Sequence, residues 1–159
     1  MKLIDTLTED NIIIPLNSNS RDEAIAELVE HLKKQNIISQ TDEVISKVLK
    51  RESKLCSAAG RGVAYPHAVS NEIFTLKTIV GISPTGIDYN SPDTLPCHII
   101  LLTISPESKV DIHRKFLSIF RTMINNSMLR SEIIETNSAK EIRSLIEGWE
   151  IRQEEEEVG

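Results

Sequence analysis

Apolar residues recur along this chain at two periods. In "SRDEAIAELVEHLKKQN", Ala24, Ile25, Leu28, Val29 and Leu32 form one stripe at helical spacing. Ser20 with Glu23 reads as a capping box at its start, and Lys33 and Lys34 suit its last turn. The stripe repeats in Val44, Ile45, Val48 and Leu49, which predicts a second helix capped by Thr41 and fraying out near Arg51–Leu55. A long helix from about Lys109 to Ser127 carries Ile112, Phe116, Ile119, Phe120 and Met123 on one face, and a short one covers Leu129–Glu135. Ser138 with Glu141 opens a last helix that turns Ile142, Leu145, Ile146 and Trp149 inward.

The other period is that of strands. "NIIIPLN" (11–17) is β-branched and closed by Pro15, as an edge or opening strand would be. "LKTIVGIS" (76–83) and "CHIILLTIS" (97–105) are β-rich, and the second is apolar on both faces, which suits a central strand. "PTGIDYNSPDTLP" between them is turn chemistry throughout, and Pro106 stops the central strand. Residues 56–71 lack helical period. Strand, two helices, three strands and further helices, in that order, predict an α/β fold: three layers, with a mixed β-sheet flanked by helices. One domain should occupy residues 1–149, leaving 150–159 as an acidic, disordered tail.

Charge narrows the function classes. The 159 residues carry a net charge of −6, which argues against nucleic acid as a partner. Residues 150–159 hold five Glu against one Arg, so the rest of the chain is near −2. No apolar run is long enough for membrane insertion, and "MKLIDTLTEDN" meets acidic residues too early for a signal peptide. Cys56 and Cys97 lack metal-ligand or redox spacing and read as two reduced thiols in a cytoplasmic protein.

The candidate chemistry lies with histidine. His31 falls among charged neighbours on the first helix and reads as a surface residue. His98 adjoins Cys97, but neighbouring strand residues point to opposite faces and cannot share a metal ion. In "GRGVAYPHAVS", Gly60 and Gly62 permit a tight turn, and Pro66 biases Tyr65 toward extended geometry. "VAY" is then a brief strand ending at His67, a usual place to present a functional side chain. A histidine bonded within its own loop is the plainer alternative. His113 opens the long helix on the face of Phe116, Leu117 and Phe120. It reads either as a histidine at the rim of the core or as part of an anion site at a helix N-terminus. Arg51 offers a bidentate fork to phosphate oxygens.

"KRESKLCSAAGRGVAYPHAVS" (50–70) resembles the signature of enzyme IIA domains of the mannitol/fructose type in the bacterial phosphoenolpyruvate phosphotransferase system. Arg51-Glu52 matches that family's Arg-Glu pair, and Gly60-x-Gly62-x-Ala64-x-Pro66-His67 its Pro-His segment. The similarity continues through "GIDYNSPDTLPCHIILLTISPES" to "DIHRKFLSIF". The resemblance implies that His67 is the phosphoryl acceptor, that His113 stabilises the phosphoryl group and that Arg51 pairs with the phosphate. Gly60, Arg61, Gly62 and Pro66 would then shape the loop and its partner contacts. It further implies HPr or a nitrogen-branch phosphocarrier as phosphate donor, a downstream regulated protein or a IIB domain as target, and no cofactor or metal. The regulatory (PtsN-like) branch is the nearer likeness, with a sugar-specific IIA as the alternative. Two departures stand out. Ala58 takes the place of a family glycine, and Arg61 a place usually neutral or acidic. They leave room for a third reading, a binding module of the same fold that no longer transfers phosphate.

Overall fold

The computed structural model describes all of residues 1–159. Its elements run β1 (Ile12–Ile13), α1 (Arg21–Lys34), α2 (Thr41–Lys54), β2 (Ala58–Gly60), β3 (Val63–Ala64), β4 (His67–Val69), β5 (Lys77–Ile87), β6 (Cys97–Ser105), α3 (Val110–Ile124), α4 (Ser127–Glu135) and α5 (Ala139–Val158). The six strands form one sheet in the order β1-β5-β6-β3-β2, with β4 also pairing to β6. β5 and β6 are antiparallel, while β1 on β5, and β3 and β4 on β6, are parallel. The sheet is therefore mixed, and β6 is its buried centre.

Alternation along β6 divides the interior into two cores. Ile100, Leu102 and Ile104 meet Ile25, Leu28, Leu32, Val44 and Val48 of α1 and α2. Ile99 and Leu101 meet Phe116, Phe120, Ile133, Ile146 and Trp149 of α3, α4 and α5. Because successive strand residues point to opposite faces, a strand that is apolar on both faces demands a cover on both. The result is the three-layer α/β/α arrangement that the sequence predicts.

Several local expectations change. Ser20 Oγ and Ser138 Oγ do accept the N–H groups of Glu23 and Glu141. The glutamates do not close the boxes: Glu23 accepts from the Asn19 N–H, and Glu141 from the Thr136 hydroxyl. Thr41 is not a cap, since it lies inside α2 and is buried. Glu72, from the loop after β4, serves that helix end instead by accepting from the backbone N–H groups of Ser39 and Gln40. β5 runs on to Ile87 through Pro84 and Gly86, with a register shift between Ile82 and Ile87, where turns alone are predicted.

The last ten residues also depart from expectation. α5 continues to Val158 rather than dissolving after Trp149. Glu150 is buried, and its carboxylate accepts the N–H groups of Leu3 (2.8 Å) and Ile4 (3.1 Å) at the chain's first helical turn. That turn, which the sequence pattern does not announce, sinks Leu3 and Leu7 into the second core. A buried carboxylate meeting two free N–H groups is a charge-assisted contact, and it holds this part of α5 to the body.

Candidate functional site

Pro66 decides where the site begins. β3 pairs Val63 and Ala64 with Ile99 and Ile100 of β6. A proline has no N–H to extend that ladder, so pairing lapses and then resumes one residue later. β4 starts at His67, in register with Thr103, and the Pro66 carbonyl accepts the Thr103 N–H at 3.1 Å. His67 thus opens a strand rather than closing one. Its backbone is held by the central strand, and its half-buried side chain faces outward.

The two ring nitrogens of His67 have unlike partners. Nδ1 lies 3.2 Å from the Tyr65 carbonyl oxygen, and Nε2 lies 3.2 Å from Arg51 Nη1. A carbonyl only accepts and a guanidinium only donates. Nδ1 therefore carries the proton, and Nε2 presents its lone pair beside Arg51. Arg51 comes from the last turn of α2. The neighbouring Glu52 points inward and fastens the chain that follows, accepting from Ser57 N at 3.0 Å, from the Ser57 hydroxyl and from the Tyr89 hydroxyl at 3.0 Å. Burial and the Glu52 carboxylate push the Tyr89 phenol well above its ordinary range, so it stays protonated as the donor of this set.

His113 approaches from the first turns of α3, its ring centroid 5.0 Å from that of His67. It is 9% exposed, and its Nε2 is 2.7 Å from Thr103 Oγ1. Burial, with His67, Arg51 and Arg121 nearby, depresses its pKa to about 4, so the ring is neutral near pH 7. His113 is thus buried at the start of α3 with its ring beside that of His67.

A cleft of about 540 Å³ opens at His67 between α2 and α3. Arg51, Lys54 and Arg121 give it positive walls, while Leu55, Leu117 and Tyr65 supply apolar surface. Arg121 also lies over the Tyr65 ring, 4.8 Å from its centroid. Burial raises the pKa of the Tyr65 phenol, and Arg121 opposes that rise. Lys54 and Arg121 are absent from the sequence-derived set. Their signal was helical spacing, since Lys54 stands three residues after Arg51 and Arg121 eight after His113.

Gly60, Arg61 and Gly62 sit elsewhere. Arg61 and Gly62 form the two-residue turn between β2 and β3, with φ of 57° and 79°. This is the left-handed geometry of a tight hairpin. Arg61 N donates to Asp93 at 3.0 Å, and its guanidinium reaches Asn125 at 3.5 Å, beyond the far end of α3. Val63 and His67 lie opposite Ile99 and Thr103, four positions apart on β6, or about 13 Å along the strand. Arg61 therefore adds no charge to the cleft. Ala58 occupies β2 without positive φ, so the missing glycine causes no strain there.

His98 Nδ1 is bound to the Ser83 carbonyl at 2.9 Å, and His31 Nε2 lies 3.1 Å from the Asp10 carbonyl. No three His, Cys, Asp or Glu side chains assemble into a metal-holding group.

Comparison with known proteins shows the family and the fold. A family model described as "Phosphoenolpyruvate-dependent sugar phosphotransferase system, EIIA 2" matches residues 5–149. The chain is 27% identical over 146 residues to the fructose-specific EIIABC component of Bacillus subtilis, covering 92% of this chain but only 23% of that one. It is 24% identical to the nitrogen regulatory protein of Bradyrhizobium diazoefficiens, covering 92% of this chain and 95% of the relative. The crystal structure of IIA-Ntr from Neisseria meningitidis superposes with a TM-score of 0.81 at 20% identity, covering 89% of this chain and 97% of that structure.

Proposed function

The chain belongs to the EIIA type 2 family of the phosphoenolpyruvate-dependent phosphotransferase system, and on that premise we propose that His67 is its phosphoryl acceptor, charged by HPr or a nitrogen-branch phosphocarrier in the cytoplasm. The observation that carries this reading is the pairing of His67 Nε2 with Arg51 while Nδ1 is engaged by the Tyr65 carbonyl. Nε2 is a neutral nucleophile already aimed at the cleft.

In the proposed transfer, the Nε2 lone pair attacks phosphorus as the bond to the donor's leaving atom breaks with its electron pair. Arg51 gives up its contact with Nε2 and donates to the phosphoryl oxygens instead. The Nδ1 proton stays in place, so the positive charge that bond formation puts on the ring faces the Tyr65 carbonyl. Phosphoryl transfer asks chiefly for positioning and charge stabilisation, and Arg51, Lys54, Arg121 and His113 offer them around one nitrogen.

The regulatory role is our first choice on the motif likeness to that branch; the match to a nitrogen regulatory protein runs over 95% of that relative, and fructose- and mannitol-specific IIA components are matched over 96% of theirs. A phosphate on His67 would then alter which protein binds the cleft. The sugar-specific alternative, passing phosphate to a IIB, draws on the similarity to the fructose-specific relative. Incubation with phosphoenolpyruvate, enzyme I and either carrier should label His67 with an acid-labile, base-stable phosphate, and His67→Ala should abolish it. Undiminished labelling of His67→Ala would move the acceptor elsewhere, and no labelling by either carrier would favour the binding-module reading. Phosphate passed on to a fructose- or mannitol-type IIB would favour the sugar-specific role.

A further inference from the structure

Two histidines face each other across the site, yet only one is set up as an acceptor, and the difference lies in β6. Thr103 is the one residue of that strand paired in register with His67 on one side and Thr78 on the other. It is 1% exposed, and its hydroxyl lies 2.7 Å from His113 Nε2.

The direction of that hydrogen bond follows from what else surrounds the hydroxyl. Thr103 Oγ1 makes no second side-chain or backbone hydrogen bond, and the Thr78 hydroxyl across the strand is buried with no partner at all. Were His113 Nε2–H to donate to Thr103, the Thr103 proton would be buried with nothing to accept it. Buried donors are rarely left so. With the Thr103 hydroxyl donating, both atoms of this buried contact are satisfied, and the ring's other nitrogen is the one left open to solvent. Nε2 is then the acceptor nitrogen of the neutral ring, and Nδ1 bears the proton and has no protein partner.

We propose that Thr103 is a positioning residue: its hydroxyl donates to His113 Nε2, holds the ring proton on Nδ1, and so makes His113 a hydrogen-bond donor to the transferring phosphoryl group rather than a second acceptor. The inference rests on the reading of His67 as the phosphorylated residue. It accounts for the division of labour between the two rings. Each is neutral with its proton on Nδ1, but at His67 the bare Nε2 faces the cleft beside Arg51, whereas at His113 the bare Nε2 is consumed by Thr103. The second ring meets phosphate with an N–H. No bond is made or broken at Thr103 or His113, so phosphorus moves only between the donor and His67.

The test combines nitrogen-15 spectra of the imidazoles with labelling rates. In the wild-type chain at pH 7, His113 should show the single tautomer with Nδ1 protonated. Thr103→Val should replace that state with a mixture of tautomers and slow labelling of His67 about tenfold, the loss of one oriented donor. Thr103→Ser should restore both. A wild-type spectrum with the proton on Nε2 overturns the proposal, and it does so whether or not any carrier labels the protein. So does a Thr103→Val chain that keeps the Nδ1 tautomer, even if its rate falls, because the threonine would then only fill space. If the valine variant fails to fold, the wild-type and serine spectra still decide.

Discussion

His113 is 9% exposed and neutral by virtue of its surroundings, which gives the fold a pH dependence that can be read from one residue. Its folded pKa of about 4 lies below the ordinary histidine value of 6.5. Between those values the unfolded chain takes up a proton that the folded chain refuses. Stability is therefore complete above about pH 6.5 and falls as the pH drops toward 4. The contribution lost is up to about 3 kcal/mol at 1.36 kcal/mol per unit. Urea unfolding from pH 7 to pH 4 should show a steeper decline for the wild type than for His113→Gln. Parallel curves would mean that the ring titrates freely in the folded chain.

At the scale of elements, α5 is the instructive case. An acidic end reads as solvated when its charges are counted along the chain, but Glu150 is buried against the first turn of the protein. Glu150→Ala should cost about 2–3 kcal/mol, because two N–H groups lose a charged acceptor. A chain ending at Trp149 should lose as much. One ending at Gln153 should melt close to the wild type, since the contact it forgoes is the exposed Lys2–Glu154 pair at 2.8 Å, a class of contact worth little. Circular dichroism melts of the three chains separate these outcomes. The other helices were largely legible, because their apolar stripes are long and regular. Their caps were less so: Glu72 reaches the start of α2 from 32 residues away, and no local motif reports that.

The whole molecule is electrically polarised in a way that the net charge of −6 hides. Lys47, Arg51 and Lys54 follow one another along α2 beside β4, and Arg121 faces them from α3. α5, with seven Glu against three basic residues, packs in the second core against the opposite face of the sheet from α2. A basic cleft attracts the phosphoryl dianion and favours a carrier whose docking face bears carboxylates. Transfer should thus be faster from the less basic of the two candidate carriers. It should slow as salt rises from about 0.05 to 0.3 M, as the screening length contracts. Lys54→Glu should slow it several-fold with an unchanged melt. A rate that climbs with salt would show that the carrier meets this face by overcoming repulsion.

What the sequence by itself determined are the features encoded locally: helical stripes, a strand apolar on both faces that requires cover on both, and the spacing around Pro66 and His67. These patterns rest on backbone periods and fixed φ angles, which act within a few residues. What only the tertiary structure decided is how distant residues meet. Register on β6 sets Thr103 opposite His67, the packing of α3 carries His113 onto Thr103, and the hairpin after β2 takes Arg61 away from the site that its sequence position suggests. A side chain's partners depend on strand register and helix rotation across the whole domain, and a shift of one residue in either reverses the face it presents.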